Sequence, residues 1–331
     1  MFREPIGKNK VGLIEKDTIE FGDGDFRRKL SLLFFFPTEE EGEEYPYKDE
    51  IYQREKLTGI PHDNKVKTNC CINVRLSDEL KKYPVIIYSH GLMGHQMEST
   101  VLCTDLASSG YIVISIGHPY GSSAVTYTDG TMFEPQSSYV PDRHNLAPLG
   151  RLWLEDTEFA VSYIRKINET DTESMFYNRM DLTKGVSLLG MSFGGCVSVC
   201  SALEESDVLC AINLDGSLFI DPNPKYKEKP ILVLCSPFNI KAYAKLQRLQ
   251  CENVTVHKIR KLSHWEFCDG IYFTERGKKD TNRADTISIN RAKMCMEFIE
   301  EASSDAHDSF DNTAEISEDD IVRAVNRNEE V

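Results

Sequence analysis

The chain has 331 residues, of which 40% are hydrophobic, and its formal net charge at pH 7 is -15. This length suits one large α/β domain or two average ones, and the apolar content is sufficient for a substantial core. The acidic balance argues against a nucleic-acid partner and against electrostatic docking on anionic membranes, but it does not exclude neutral or zwitterionic lipid substrates.

The N-terminal twelve residues contain no apolar segment of the kind found in a secretory signal. The longest apolar run, at residues 30–36, has the length of a strand and is far shorter than the ~18 residues that span a bilayer. We therefore expect a cytoplasmic protein without a transmembrane segment. A chain from which a signal was trimmed is the alternative.

Residues 11–36 are predicted to form an antiparallel hairpin. An Asp-Gly turn at residues 23–24 separates its two apolar halves. The next segment, residues 37–70, is polar and contains an acidic run, so we interpret it as a loop insertion.

From residue 83 onward, predicted strands and helices alternate. Strands are predicted at residues 83–89, 111–116, 185–190, 208–214, 230–235 and 253–259, and helices at 97–109, 152–167, from 192, near 239–250 and at about 284–301. Continuous apolar strands are typical of a sheet that is covered on both faces, and the alternation indicates βαβ units. The predicted fold class is α/β, with a mostly parallel central sheet flanked by helices and an N-terminal antiparallel hairpin.

The domain organisation follows from this pattern. Residues 1–301 are interpreted as a single α/β domain, with loop or lid insertions at 37–70 and at 119–149, where no period is visible. The acidic tail, residues 302–331, is expected to be mobile or to form a small docking helix near residues 321–325.

The strongest chemical signal is a Gly-x-Ser-x-Gly motif at residues 190–194, between a predicted strand and a predicted helix. At such a sharp turn the residues two positions before and two positions after the serine approach each other too closely to carry side chains. Glycine at 190 and at 194 removes this clash. The turn lifts the Ser192 hydroxyl clear of the sheet, to a helix N-terminus that favours negative charge. Ser192 is the candidate nucleophile, and a glycine-rich turn without catalysis is the alternative.

A second motif, Ser-His-Gly-Leu at residues 89–92, ends an upstream apolar strand. A loop at this position can donate a backbone N–H to an oxyanion, and the residue after the nucleophile supplies the other donor. The candidate oxyanion hole therefore consists of the backbone N–H groups of Leu92 and Phe193. His90 is interpreted as structural, because it precedes the nucleophile.

The candidate acid is Asp215, which ends the strand after the nucleophile helix, whereas no carboxylate ends the next strand. The candidate base is His264, which lies just past a strand. By contrast, His257 lies within a strand and His307 lies in the polar tail. A loop at the C-terminal end of a strand points to the ligand side of an α/β sheet. In triad logic, His264 takes the Ser192 proton, and Asp215 orients the imidazole.

The ten cysteines are scattered and include no CxxC pair. A chain of this length needs no disulfide framework, and several of these cysteines lie in apolar runs. We interpret them as buried apolar residues in a reducing compartment, and we predict neither a metal site nor a cofactor.

These motifs resemble those of the plasma-type platelet-activating factor acetylhydrolases and their bacterial relatives, within the α/β-hydrolase superfamily. The resemblance lies in residues 89–92, 190–195, 214–216 and 264–269, and it extends over roughly residues 5–300. Met191 departs from the histidine that is common before the nucleophile in this family.

The resemblance implies calcium-independent hydrolysis of short or oxidised acyl esters through an acyl-enzyme, such as the sn-2 ester of a platelet-activating factor-like phospholipid. The residues by themselves indicate acyl transfer to water, with a small-molecule or lipid ester as the partner, and they predict no oligomeric state. Two alternatives stay open. One is a catalytically inactive α/β-hydrolase-fold binding module, and the other is an amidase, peptidase or thioesterase with the same triad.

Overall fold

The computed structural model describes residues 2–24, 27–46, 66–133, 145–304 and 313–316. Its strands are β1 (Lys10–Asp17), β2 (Ser31–Thr38), β3 (Glu43–Pro46), β4 (Lys67–Ile72), β5 (Tyr83–Ser89), β6 (Ile112–Gly117), β7 (Val125–Thr126), β8 (Met132–Phe133), β9 (Met180–Asp181), β10 (Val186–Met191), β11 (Val208–Leu214), β12 (Ile231–Cys235), β13 (Val254–Ile259) and β14 (Thr313–Ile316). Its helices are α1 (Thr100–Ser108), α2 (Ala147–Thr170), α3 (Phe193–Glu204), α4 (Lys241–Arg248), α5 (Gly270–Phe273), α6 (Glu275–Lys279) and α7 (Thr281–Ser303), with a 3-10 helix at His264–Phe267.

The main sheet, as far as the structure describes the chain, has the strand order β14-β13-β12-β11-β10-β5-β6-β2-β1-β4-β3, and β9 pairs with the start of β5. All neighbours from β6 to β14 are parallel. Strand β2 is antiparallel to both β6 and β1. The predicted α/β class, with a mostly parallel sheet and an N-terminal antiparallel hairpin, is confirmed.

Both faces of the sheet are buried, which explains the continuous apolar runs. On β2, Leu32, Phe34 and Phe36 pack on one face, whereas Leu33 and Phe35 pack on the other. Helices α2 and α3 contribute side chains to the first core, and α1 and α7 contribute to the second. Successive side chains of a strand point to opposite faces, so both sets must be apolar when helices cover both faces.

The parallel direction of the central strands determines where the site lies. Strands β5, β10, β11, β12 and β13 have their C-terminal ends at one edge of the sheet. The residues predicted to form the site follow these ends: Leu92, Ser192, Phe193, Asp215 and His264.

The two segments predicted as insertions contain regular structure. Strands β3 and β4 lie within 37–70 and extend the sheet beside β1, while β7, β8 and the first turn of α2 lie within 119–149. Residues 47–65 and 134–144 lie outside the described residues. The strands at the sheet edge are short and polar, a composition that edge strands tolerate and that apolar periodicity cannot detect.

Part of the acidic tail lies within the described residues, and its expected mobility stays a prediction. Residues 313–316 form β14, which pairs with β13 in parallel, with Thr313 opposite Val256 and Ile316 opposite Ile259. This pairing satisfies backbone groups of β13 that would otherwise lie at an open edge. The docking helix predicted near residues 321–325 lies outside the described residues.

All ten cysteines are free, and eight of them are buried, in agreement with their interpretation as core residues. Desolvation is the dominant influence on several of them, and it raises the pKa of Cys210 and of Cys295 to about 12. These thiols therefore stay protonated and unreactive near neutral pH. The reducing compartment inferred from them stays a prediction.

A buried ion pair joins the hairpin to α2. Arg28 Nε donates to Asp156 Oδ1 at 2.5 Å, and both side chains are almost completely inaccessible. The other carboxylate oxygen, Oδ2, lies 2.8 Å from His118 Nδ1, so both oxygens of Asp156 have partners. Burial lowers the pKa of His118, although Asp156 opposes this shift.

Replacing Arg28 by Met should leave the Asp156 carboxylate buried without its cation. Because the loss of one member of a buried pair is costly, we expect the free energy of unfolding to fall by about 3–5 kcal/mol. The matched control is Arg165→Met, which breaks a 2.9 Å pair with Asp207 whose side chains are 33% and 52% exposed. That change should cost at most about 1 kcal/mol. Urea unfolding of both variants tests this, and equal losses would contradict it.

Candidate active site

Ser192 lies at the turn between β10 and α3, with φ 55° and ψ -112°. Such a backbone conformation is unfavourable for a residue with a side chain, by about 1–3 kcal/mol, and it persists only where the surroundings hold it. Here the Ser192 N–H donates to Leu214 O at 2.8 Å, and Ser192 O accepts from the Cys196 N–H at 3.2 Å. These bonds fix the turn between strand β11 and the first turn of α3.

Gly190 and Gly194 are required at this turn for space. A Cβ on Gly190 would lie 2.2 Å from the backbone carbonyl carbon of Gly194, and a Cβ on Gly194 would lie 2.1 Å from Ser89 O. Both obstacles are backbone atoms, which cannot rotate away as a side chain could. The sequence prediction that these two positions accept only glycine agrees with this geometry.

The structure brings the three predicted side chains into one hydrogen-bonded chain. His264 Nε2 lies 2.9 Å from Ser192 Oγ, and His264 Nδ1 lies 2.8 Å from Asp215 Oδ2. The imidazole is 39% exposed, whereas the Asp215 side chain is fully buried. The arrangement can pass a proton from the hydroxyl to the imidazole and stabilise the resulting charge.

Asp215 is held by backbone contacts on two sides. Its N–H donates to Leu234 O at 2.8 Å, and its Oδ1 accepts from the Ser236 N–H at 2.6 Å. Asn239 Nδ2 donates to Asp215 O at 2.9 Å. Because Oδ1 is bound to the loop after β12, Oδ2 is left for His264. The end of β12 has no carboxylate of its own, and it supplies the donor that orients Asp215.

His264 begins the 3-10 helix that follows β13, and its loop is anchored by a buried glutamate. The Ser263 N–H and hydroxyl both donate to Glu266 Oε2, at 2.7 and 2.8 Å, and Arg283 Nη1 donates to Glu266 Oε1 at 2.7 Å. Burial raises the pKa of Glu266, but these hydrogen bonds outweigh it and the pKa is lowered overall. A charged Glu266 therefore fixes the turn that carries the imidazole.

The other histidines lie elsewhere. His257 lies on β13, where burial lowers its pKa, and His307 lies outside the described residues. His90 is fully buried, with Nδ1 2.7 Å from Gly91 O and Nε2 2.9 Å from Ser122 Oγ. The catalytic roles of Ser192, Asp215 and His264 stay predictions.

The backbone N–H groups of Leu92 and Phe193 are the donors predicted for the oxyanion hole. Phe193 is the first residue of α3, and the N–H groups of a first helical turn have no partner within the helix. Leu92 lies in the loop after β5, and a Cβ on the preceding Gly91 would lie 3.4 Å from Ser192 Cβ. Within the described ranges, neither N–H donates to a protein acceptor. Both groups are therefore open to an oxyanion, and their assignment as the oxyanion hole stays a prediction.

The loop that carries Leu92, residues 90–94, is fixed on both sides of that residue. The Gly91 N–H donates to Glu98 Oε1 at 2.6 Å, and the Met93 N–H donates to Gly121 O at 2.6 Å. Sequence reasoning missed Glu98, because no local motif connects a glutamate with a loop seven residues before it. We call residues 90–94 the Leu92 loop.

Aromatic side chains pack around Phe193, the residue after Ser192. The Phe193 ring is edge-on to Trp153, with centroids 4.7 Å apart, and tilted against Phe219, with centroids 4.5 Å apart. Two further aromatic side chains are exposed: Trp265, which follows His264 in the chain, is 59% exposed, and Phe238, in the loop after β12, is 87% exposed.

The helices in the described ranges include none that is long and apolar enough to cross a membrane. In the same ranges, no cluster of three or more His, Cys, Asp or Glu side chains has the arrangement of a metal site.

Comparison with known proteins identifies relatives of the kind that the motifs indicated. The family model of platelet-activating factor acetylhydrolase, isoform II, matches residues 53–144. The platelet-activating factor acetylhydrolase of Bos taurus is 28% identical over 257 residues, and that of Canis lupus familiaris is 27% identical over 255 residues. Each match covers 65% of this chain and 56% of the relative. The chain thus matches little more than half the length of these relatives.

Two solved structures are similar in fold. A ferulic acid esterase from Streptomyces cinnamoneus has a TM-score of 0.74 at 20% identity, covering 89% of this chain and 91% of the esterase. An acylaminoacyl peptidase from Pyrococcus horikoshii has a TM-score of 0.51 at 14% identity, covering 94% of this chain and 44% of the peptidase. The chain has the α/β-hydrolase fold, and its predicted resemblance to the platelet-activating factor acetylhydrolases is confirmed.

Replacing Gly194 by Ala should destabilise the protein, because the added methyl group would overlap Ser89 O. Overpacking of this kind typically costs about 1–3 kcal/mol or more in free energy of unfolding. The control is Ser201→Ala on the same helix, which removes a buried hydroxyl without a hydrogen-bond partner and should not destabilise. Urea unfolding compares the two, and wild-type stability of Gly194→Ala would contradict the steric argument.

Proposed function

We propose that this chain is a serine carboxylic-ester hydrolase that works through an acyl-enzyme. The observation that carries the proposal is the hydrogen-bonded chain from Ser192 Oγ through His264 to Asp215, with distances of 2.9 and 2.8 Å. A serine hydroxyl is a weak nucleophile at neutral pH, and an adjacent base oriented by a third group activates it. The order Ser, Asp, His along the chain is that of α/β-hydrolases.

In this mechanism His264 Nε2 accepts the Ser192 proton as Oγ attacks the ester carbonyl carbon. The buried Asp215 carboxylate holds His264 in the tautomer with a proton on Nδ1 and stabilises the imidazolium. His264 then protonates the leaving alkoxide, which departs and leaves the acyl group on Ser192. A water molecule, deprotonated by His264, attacks this acyl-enzyme and releases the acid.

The negative charge on the carbonyl oxygen would be stabilised by the N–H groups of Leu92 and Phe193. A preorganised donor of this kind typically contributes about 3–4 kcal/mol to transition-state stabilisation. Phe193 also lies at the N-terminus of α3, where the helix dipole favours negative charge. These donors act without a metal ion, which supports a calcium-independent reaction.

The proposed substrates are short-chain acyl esters such as platelet-activating factor-like phospholipids. The names of the relatives support this class, since they include platelet-activating factor acetylhydrolases and a probable 1-alkyl-2-acetylglycerophosphocholine esterase from Arthroderma benhamiae, which is 22% identical over 138 residues. The exposed Trp265, which follows His264 in the chain, also suits a lipid. The net charge of -15 favours neutral or zwitterionic lipids over anionic ones.

A fluorophosphonate probe should label Ser192, because it forms a covalent adduct with an activated serine. Intact-mass spectrometry should show one adduct on the wild type and none on Ser192→Ala, and Ser201→Ala should be labelled like the wild type. The absence of an adduct on folded wild-type protein would overturn the proposed mechanism and favour an inactive binding module.

Activity should fall as the acyl chain lengthens in a series of p-nitrophenyl esters from acetyl to palmitoyl. We expect kcat/KM for the shortest esters to exceed that for palmitoyl by at least about tenfold, because a pocket built for a short chain rejects the extra methylenes. A short-acyl phospholipid should be hydrolysed equally with and without a calcium chelator. A preference for acyl chains beyond about eight carbons would contradict the short-acyl assignment. Faster turnover of a matched amide or thioester would favour a different hydrolase class.

A further inference from the structure

Glu98 is a buried carboxyl group that the proposed mechanism does not use. Its side chain is 9% exposed, and it lies between the Leu92 loop and helix α1. Its Oε1 accepts hydrogen bonds from the Gly91 N–H at 2.6 Å and from the Tyr88 hydroxyl at 3.0 Å. Since Gly91 precedes Leu92, this carboxyl group binds the residue next to a proposed oxyanion donor.

The second oxygen of Glu98 lies against the same loop. A Cβ on Gly94 would lie 2.1 Å from Glu98 Oε2, and a Cβ on Gly91 would lie 3.6 Å from it. The position of a Cβ on Gly91 is also 3.4 Å from Ser192 Cβ, so the carboxyl group lies close to the turn that carries Ser192. Glycine at 94 leaves room for the carboxyl group in its present position, whereas the distance at Gly91 is that of an ordinary contact.

The backbone of Glu98 binds the segment that carries the base. Glu98 O accepts from the Asp269 N–H at 2.9 Å, and Asp269 follows His264 by five residues. The Asp269 carboxylate in turn accepts from the Val101 N–H, at 3.2 Å, in the first turn of α1. Glu98 is thus in direct contact with both the Leu92 loop and the His264 segment.

The surroundings of Glu98 set its ionisation. Burial raises its pKa to about 7, against the opposing effects of the Gly91 N–H, the Tyr88 hydroxyl and the charge on His264. The titratable groups that face Glu98 are Tyr88 on β5 and His264, Cys268 and Asp269 on the segment after β13.

We propose that Glu98 is a positioning residue for ester hydrolysis, which holds the Gly91 peptide so that the Leu92 N–H faces the reacting carbonyl oxygen. A hydrogen bond to a charged acceptor is roughly twice as strong as one between neutral groups, so the ionised carboxylate holds the loop more firmly than the protonated acid does. This inference rests on the proposed function.

Two substitutions separate positioning from packing. Glu98→Gln keeps an oxygen that accepts from Gly91 and Tyr88 but removes the charge, whereas Glu98→Ala removes both. We expect Glu98→Ala to lower kcat about 10- to 100-fold with KM within about twofold of wild type, because a small displacement of a stabilising donor is costly. Glu98→Gln should keep kcat at pH 8 within about threefold.

The pH profile tests the effect of the charge. Glu98→Gln stays neutral at every pH, so the change in kcat that accompanies ionisation of Glu98, whose pKa burial raises to about 7, should be absent from its profile. Glu204→Gln is the matched control, because Glu204 is hydrogen-bonded to Arg151 at the far end of α3, and its profile should equal that of the wild type. A Glu98→Gln profile with the same dependence on pH as the wild type would overturn the inference.

The rate of fluorophosphonate labelling distinguishes this inference from the proposed function. An unlabelled wild type would overturn the proposed function. A labelled wild type whose Glu98 variants react at the wild-type rate, with unchanged kcat, would overturn the role of Glu98 alone. That role would also be overturned if Glu98→Gln lost as much kcat as Glu98→Ala. Circular dichroism checks folding, and if Glu98→Ala does not fold, the pH profile of Glu98→Gln decides the outcome.

Discussion

The architecture of the site depends on the close approach of two backbone segments at the end of neighbouring parallel strands. The turn after β10 packs against the end of β5, and the Gly194 N–H donates to His90 O at 3.1 Å. No side chain fits between them, since a Cβ on Gly194 would overlap Ser89 O. This contact places Ser192, at the end of one strand, beside the loop that follows the next. The proposed nucleophile and the proposed backbone N–H donors can therefore come from two strands without a long connection.

Three buried carboxyl groups, those of Asp156, Asp215 and Glu98, have different hydrogen-bond partners. Asp156 is paired with Arg28, and Asp215 is bound to the Ser236 N–H and to His264. Glu98 has neutral donors in direct contact, and burial raises its pKa to about 7. Glu98 therefore changes its charge near neutral pH while in contact with the Leu92 loop.

The central sheet and the three side chains of the triad were predictable from sequence because their signals are local. Continuous apolar runs mark strands such as Tyr83–Ser89, whose bounds were predicted without error, and the glycines at 190 and 194 mark the turn. Strand β3 gave no local signal, since its pairing with β4 stabilises it. The Ser-x-x-Glu pattern at residues 263–266, a capping box that begins the 3-10 helix, was a local signal that the prediction did not use. The importance of Glu98 depends on contacts with Gly91 and Tyr88 that only the folded chain brings together.

The three parts of the site are joined to one another mainly through backbone groups. The Ser192 turn binds the end of β5, the Leu92 loop binds Glu98, and the Glu98 carbonyl binds the His264 segment through Asp269. The Asp269 carboxylate also accepts a hydrogen bond from the Val101 N–H at the start of α1. Helix α1 and the segment that carries His264 are therefore held together. Backbone hydrogen bonds have few alternative geometries, whereas apolar side chains can repack. Such connections fix the relative positions of the proposed nucleophile, base and N–H donors.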